Sequence, residues 1–205
     1  MDVNDTKERI LTTALALFAR DGYEAVSVSD IAKALGITKG ALYRHYKNKR
    51  DIFDSMVARM LELDISAARQ SGVPEQSLAE DDRGYDEVNW AGLRQFTLAQ
   101  FRFWTEDAFA CPLRRMLSLE QYRNEEMGKL YQDMVVSGPV RYTADIFGRL
   151  MARGCMKRGD ADALAAQFYA PMFLLIAMAD GGADGGSSLS ILEDSIDSFI
   201  GRWQA

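Results

Sequence analysis

Residues 27–53 read SVSDIAKALGITKGALYRHYKNKRDIF and hold the chain's most informative chemistry. Positions 31–50 carry six basic residues and no acidic one. Thr38, Lys39, Gly40, Ala41, Tyr43 and Arg44 open a short polar segment just after Gly36. In a DNA major groove, an ammonium at Lys39 can reach a phosphate or the paired acceptors of a guanine edge. Gly40 and Ala41 leave room for close approach to the groove floor. Tyr43 and His45 suit backbone phosphates, and Ser27, Thr38 and Lys49 sit at helix starts, where exposed N–H groups favour phosphate oxygens. Each has a plainer role open to it: Ser27 as a simple cap, Tyr43 as a packing residue, His45 as a structural one, and Lys47, Lys49 and Arg50 as a solvated charged face.

Other chemistries find little support. His45 is the only histidine, so a histidine-based metal cluster or catalytic triad is not available. Cys111 and Cys155 lack zinc-ligand spacing, and two cysteines in 205 residues do not make a disulfide framework. No carboxylate pair is marked out. The expectation is no catalytic residue, no metal and no cofactor.

Two short helices crossing steeply would position the polar segment. Such a crossing needs a small residue at the contact, which Ala32 supplies, and a turn residue tolerant of a left-handed backbone, which Gly36 supplies. Ile31, Leu35, Ile37 and Leu42 offer inner-face anchors. Periodicity predicts a first helix over 6–20, capped by Asp5, with Ile10, Ala14, Leu17 and Phe18 on one face. Ser27, with Asp30 three residues on, starts the second helix. Thr38 starts the third, to about His45, and Asn48 caps a fourth, to about Arg69.

The run GITKGALYRHYKNKRDIF resembles the TetR family of bacterial regulators, with the match extending over about residues 6–53. The resemblance implies an all-α fold, with an N-terminal helix-turn-helix domain (1–50) and a helical ligand-binding and dimerisation domain (51–205). It implies DNA contacts from the residues named above, a double-stranded operator, a homodimer and a small-molecule effector.

The rest of the chain fits that expectation. Residues 70–86 are polar and hold Gly and Pro, which predicts a loop. Further helices are predicted over 90–110, 112–136, 139–157, 160–180 and 188–203. The middle ones are rich in aromatic and methionine side chains. Phe101, Trp104, Met116 and Tyr122 are candidates to line an apolar ligand cavity, as are Met127, Tyr131, Phe147 and Tyr169; an ordinary packed core is the alternative. Arg94, Arg102 and Glu106 could orient a polar group there. Leu189, Leu192, Ile196, Phe199 and Trp203 recur at heptad-like spacing, and Leu164, Phe168, Met172 and Leu175 mark the preceding helix. The resemblance implies that these two helices pair with their copies, although one face could also serve an internal core.

The net charge is −6, yet residues 1–50 carry nine basic and six acidic residues. The positive balance therefore lies where DNA contact is expected. No uninterrupted apolar run of 18 residues and no apolar N-terminal leader core are present, so no membrane span and a cytoplasmic location are expected. A DNA-binding protein without a small-molecule ligand, architectural or protein-responsive, remains a rival, as does an activator.

Overall fold

Side-chain caps set where most of the helices begin. The computed structural model describes residues 3–71, 88–182 and 185–205. At α2 (Val28–Ala34) the Ser27 Oγ accepts from the Asp30 N–H at 3.2 Å, and the Asp30 carboxylate accepts from the Ser27 N–H at 2.9 Å. This reciprocal pair satisfies two donors that a helix start leaves open. Thr38 Oγ1 caps α3 (Lys39–Leu42) through the Ala41 N–H at 3.1 Å. Asn48 Oδ1 caps α4 (Lys49–Ser71) through the Asp51 N–H at 2.8 Å.

Several expected boundaries shift. Helix α1 spans Val3–Asp21, so Asp5 lies in its first turn rather than capping it. The third helix holds α geometry for only four residues and then relaxes into a turn over 43–45. The helix expected over 112–136 is two helices, α6 (Ala110–Glu120) and α7 (Glu125–Val135). Asn124 makes the break, its side chain accepting from the Met127 N–H at 3.1 Å. Helices α5 (Trp90–Glu106), α8 (Ser137–Ala152), α9 (Ala161–Asp180) and α10 (Gly185–Trp203) follow. The loop expected over 70–86 lies outside the described residues, except Gln70 and Ser71, which end α4. Among the described residues there is no strand, only an isolated bridge between Met156 and Gln204.

The helices form two compact units, residues 1–63 with 108–131, and 64–107 with 132–205. The grouping departs from the boundary expected at residue 50, because α6 packs on α1 and joins the first unit. That unit's core holds Ile10, Phe18, Ile31, Leu42, Ile52 and Phe53, all at most 1% exposed.

The second unit centres on an aromatic cluster. Phe147 stacks on Phe199 at 5.5 Å and meets Phe168 edge-on at 5.6 Å, while Phe168 meets Phe199 edge-on at 5.1 Å. The Trp90 indole N–H donates to the Cys155 carbonyl at 3.1 Å. Helix α9 is long and apolar enough by composition to cross a membrane, but it packs against α5, α8 and α10 in this unit. Cys111 and Cys155 are both free thiols.

Gly22 (φ +90°) and Gly36 (φ +66°) adopt left-handed backbone, as expected for Gly36. Around Gly36 a Cβ would meet nothing within 4 Å, whereas at Gly22 it would lie 2.9 Å from the Glu120 carboxylate. Gly36→Ala should therefore cost only the backbone strain, about 1 kcal/mol. Gly22→Ala should cost clearly more, because it also displaces Glu120. Urea unfolding followed by circular dichroism checks the order, and equal losses would show that the Glu120 contact contributes nothing.

Candidate nucleic-acid interface and effector cavity

The two short helices meet as a helix-turn-helix. Ala32 is buried at their contact, and after Gly36 the Ile37 N–H returns to the Ala32 carbonyl at 3.0 Å. Leu42 and Ile31 point inward with no exposure, while Leu35 and Ile37 are half-buried. On the outer side Thr38, Lys39, Gly40, Tyr43 and Arg44 are exposed, with Ala41 and His45 half-buried beside them. The Lys39 ammonium lies 5.8 Å from the centre of the Tyr43 ring. The expected polar segment is thus gathered on one surface.

Two expected contributors, Ser27 and Lys49, have other duties, as does the neighbouring Arg50. Ser27 Oγ donates to the Asp30 carboxylate at 2.6 Å, so its proton is occupied. These bonds hold the Asp30 carboxyl below its ordinary acidity range, fixing a negative charge beside Ser27 that disfavours phosphate. Thr38 differs, since its hydroxyl accepts from Ala41 and keeps a proton to donate. The Lys49 ammonium turns inward: it donates to the Tyr23 carbonyl at 2.9 Å and sits 4.2 Å from the centre of the Tyr23 ring. Only its backbone N–H remains for a phosphate. Arg50 pairs with Glu126 through both guanidinium nitrogens and with Asp54 at 2.6 Å. Within residues 31–50 the exposed cations for which no carboxylate partner is described are therefore Lys33, Lys39, Arg44 and Lys47.

On the opposite side of Tyr23, the Glu120 carboxylate accepts from the Tyr23 N–H at 2.8 Å. Glu120 is 1% exposed, and its second oxygen has no partner. This bond spans 97 residues of sequence, and no local pattern announces it.

The second unit holds a cavity of ≈ 500 Å³ of atom-free space, its open mouth included, of which ≈ 50 Å³ admits the centre of a water molecule. Of the eight residues expected to line it, Trp104 and Tyr169 do. Phe101 and Phe147 are fully buried core residues of the same unit that do not line the cavity. Met116, Met127 and Tyr131 are buried in the first unit, and Tyr122, in the same unit, is 87% exposed. Arg94 is occupied by Asp197 at 2.7 and 3.0 Å, and Arg102 and Glu106 are exposed. The residue that sequence reading missed is Asp64 on α4, half-buried at the cavity wall and accepting from the Gln100 amide at 2.7 Å. Burial pushes its carboxyl up, and the Gln100 bond opposes this. Among the described residues no cluster of three His, Cys, Asp or Glu side chains is placed to hold a metal.

The residues expected at a dimer seam are mostly interior. Leu164, Phe168, Met172, Leu175, Leu192 and Ile196 are at most 5% exposed within the single chain. Phe199 belongs to the aromatic cluster, and Leu189 and Trp203 are half-buried. The outward apolar side chains of α9 and α10 are instead Phe173, Leu174, Met178 and Ile191.

The chain thus joins a helix-turn-helix with an outward polar segment to a helical unit that holds a cavity. Residues 10–56 match the family model for bacterial regulatory proteins of the tetR family. The chain is 42% identical over 55 residues to the regulator AcrR of Shigella flexneri, a match covering 27% of this chain and 26% of that protein. It is 30% identical over 145 residues to a helix-turn-helix transcriptional regulator of Staphylococcus aureus strain USA300, covering 69% of this chain and 74% of that one. The fold is also that of SmeT, a repressor of a Stenotrophomonas maltophilia multidrug efflux pump, solved with triclosan. There the TM-score is 0.63 at 19% identity, over 98% of this chain and 92% of that one. The chain belongs to the TetR family of bacterial regulatory proteins.

Two outcomes follow from these geometries. Lys39→Ala should leave the fold intact and lower the slope of log affinity against log salt by about 1, as for one lost phosphate contact, measured by fluorescence anisotropy on duplex DNA. An unchanged slope with lost sequence preference would instead assign Lys39 to a base edge. For Asp64, burial holds the folded pKa above the unfolded value of about 3.9, so its contribution is fully present below that pH and is lost as pH rises through the folded value. Asp64→Asn should therefore gain melting temperature relative to the parent as pH rises from about 4 to neutrality. A difference constant across that range would exclude the burial cost.

Proposed function

We propose that the protein is an effector-responsive transcriptional repressor that binds a palindromic operator as a homodimer in the cytoplasm. The observation that carries this reading is the exposed segment Thr38–His45 on a capped helix-turn-helix, together with a cavity whose wall includes Asp64 of α4. Helix α4 starts at Lys49, directly after that segment, and runs on to Asp64 and beyond. The DNA-contacting part lies within residues 1–50, with Thr38, Lys39, Gly40, Ala41, Tyr43, Arg44 and His45 as its groove face. Lys39 and Tyr43 choose or position, while Thr38 and Arg44 hold phosphates.

A single helix-turn-helix reads few bases, and a dimer places two of them about 34–36 Å apart, one turn of DNA. The surface for a second copy is the outward stripe of α9 and α10. Leu174 and Met178 are four residues apart on α9, Phe173 lies beside them, and Ile191 continues the apolar surface on α10. Ala166, Ala170 and Ala177, also exposed on α9, let another helix approach closely.

An effector entering the cavity presses on α4 at Asp64 and so alters the spacing of the two helix-turn-helix surfaces. A coupling of roughly 1–3 kcal/mol would weaken operator binding by about 5–150-fold. The presence of a cavity counts against a ligand-free architectural protein, whose core would be filled.

The test is anisotropy binding to DNA from upstream of the protein's own gene. Saturable, sequence-preferring binding is expected, abolished in Tyr43→Ala and weakened in Leu174→Glu. The latter should run as a monomer by light scattering with its helix content unchanged. A dimer that survives Leu174→Glu would place the interface elsewhere, and binding to the parent no tighter than to random duplex would remove the operator reading.

A further inference from the structure

The cavity's polar complement is lopsided. Among the described residues thirteen line it, including five aromatic ones (Phe96, Trp104, Tyr142, Phe168 and Tyr169) and a single carboxylate, Asp64. None of these described lining residues is Lys, Arg or His. Four of its polar side chains are turned back on the protein. The Thr97 hydroxyl donates to the Leu93 carbonyl at 2.8 Å, and the Thr143 hydroxyl to the Pro139 carbonyl at 2.8 Å. The Tyr169 hydroxyl donates to the Val135 carbonyl at 2.6 Å. The Gln100 amide, in a residue 7% exposed, donates to Asp64 Oδ1 at 2.7 Å. Among the described residues that amide is the only hydrogen-bond partner of Asp64, and no cation pairs with it.

Such a wall suits one charge type. An anion would meet the carboxylate with no cation to receive it. A neutral hydrogen-bond acceptor would find the Thr97, Thr143 and Tyr169 hydroxyls already donating to carbonyls. A cation would meet an unpaired carboxylate and the negative faces of aromatic rings, both of which attract it more strongly once water is excluded. We infer that the cavity takes a small organic cation, a protonated amine or quaternary ammonium on an apolar body, with Asp64 as its counter-charge. This rests on the reading of the cavity as the effector site, and it names the effector's chemical class. The ion pair also supplies a handle on α4, because the counter-charge is carried by that helix. Size follows from the narrow interior: a compact cation fits with small wall movements, while a larger one must spread the aromatic side chains.

The experiment compares phenyltrimethylammonium with its uncharged carbon isostere, tert-butylbenzene. The two share shape and differ in charge. Binding is followed by ligand-observed NMR and by the emission of Trp104, assigned with a Trp104→Phe variant, in the parent, Asp64→Asn and Asp64→Glu. Matching thermal unfolding curves confirm that the variants fold. The expected result is that the cation binds the parent about tenfold or more tightly than its isostere. Asp64→Asn should bring the two within about twofold, while Asp64→Glu keeps the preference. Equal binding of the two compounds to the parent would overturn the cation assignment, and a preference that survives in Asp64→Asn would overturn Asp64 as its counter-charge; either leaves the effector cavity standing. Failure of both compounds to bind or to perturb Trp104 would overturn the cavity reading as well.

Discussion

The peptide groups of Tyr23 are buried where α1 turns toward α2, and neither the N–H nor the carbonyl can be left without a partner there. No regular secondary structure supplies those partners. Glu120 of α6 takes the N–H, and Lys49 at the head of α4 takes the carbonyl. The Tyr23 ring is packed against Phe18 at 5.0 Å and Phe53 at 5.3 Å, with the Lys49 ammonium over it. One turn is thereby fastened to three helices. Glycine is needed beside it, since a side chain at position 22 would push into the same carboxylate. The turn in turn fixes where Ser27 starts α2, and hence where the polar segment after Gly36 faces solvent.

This fastening redistributes charge. Six basic residues between 31 and 50 suggested a broad positive face, but two of them work inside the unit. Lys49 holds the turn, and Arg50 ties α4 to α7 through Glu126. Bonding to Glu126 and Asp54 keeps the Arg50 guanidinium fixed as a cation, and in return Glu126 is held below its ordinary range. The outward field belongs to Lys33, Lys39, Arg44 and Lys47, with Asp30 opposing it near Ser27. In a chain of net charge −6, a few well-placed cations have to carry phosphate attraction, so each should weigh individually in the salt dependence.

What could be read from the sequence was local. The reciprocal pair at Ser27 and Asp30, the caps Thr38 and Asn48, and the left-handed Gly36 all depend on residues within a few positions, and the structure contains each of them. The break at Asn124 was legible too, since an Asn followed by Glu125 and Glu126 is a helix-start signal, but a continuous apolar pattern masked it. Longer-range pairings left no such trace. Glu120 looks like any surface acid until α6 packs on α1. The heptad-like spacing from Leu189 to Trp203 reports that α10 has an apolar face, not which helix covers it, and α5 and α9 of the same unit do so. Aromatic richness likewise marked the right region of α5 without separating Phe101, in the core, from Trp104, at the cavity.

Asp64 shows why such a residue escapes pattern reading and why it matters. On α4 it is an acid among other acids, and only folding surrounds it with aromatic rings. Its hydrogen bond to Gln100 is stronger to a carboxylate than to an amide oxygen, but that gain opposes the burial cost without cancelling it. What the carboxylate adds over that amide is the negative charge, and burial makes this charge unfavourable in the empty cavity. A cation of the kind proposed for this cavity would offset that cost, and because α4 carries the carboxylate the offset would act on that helix.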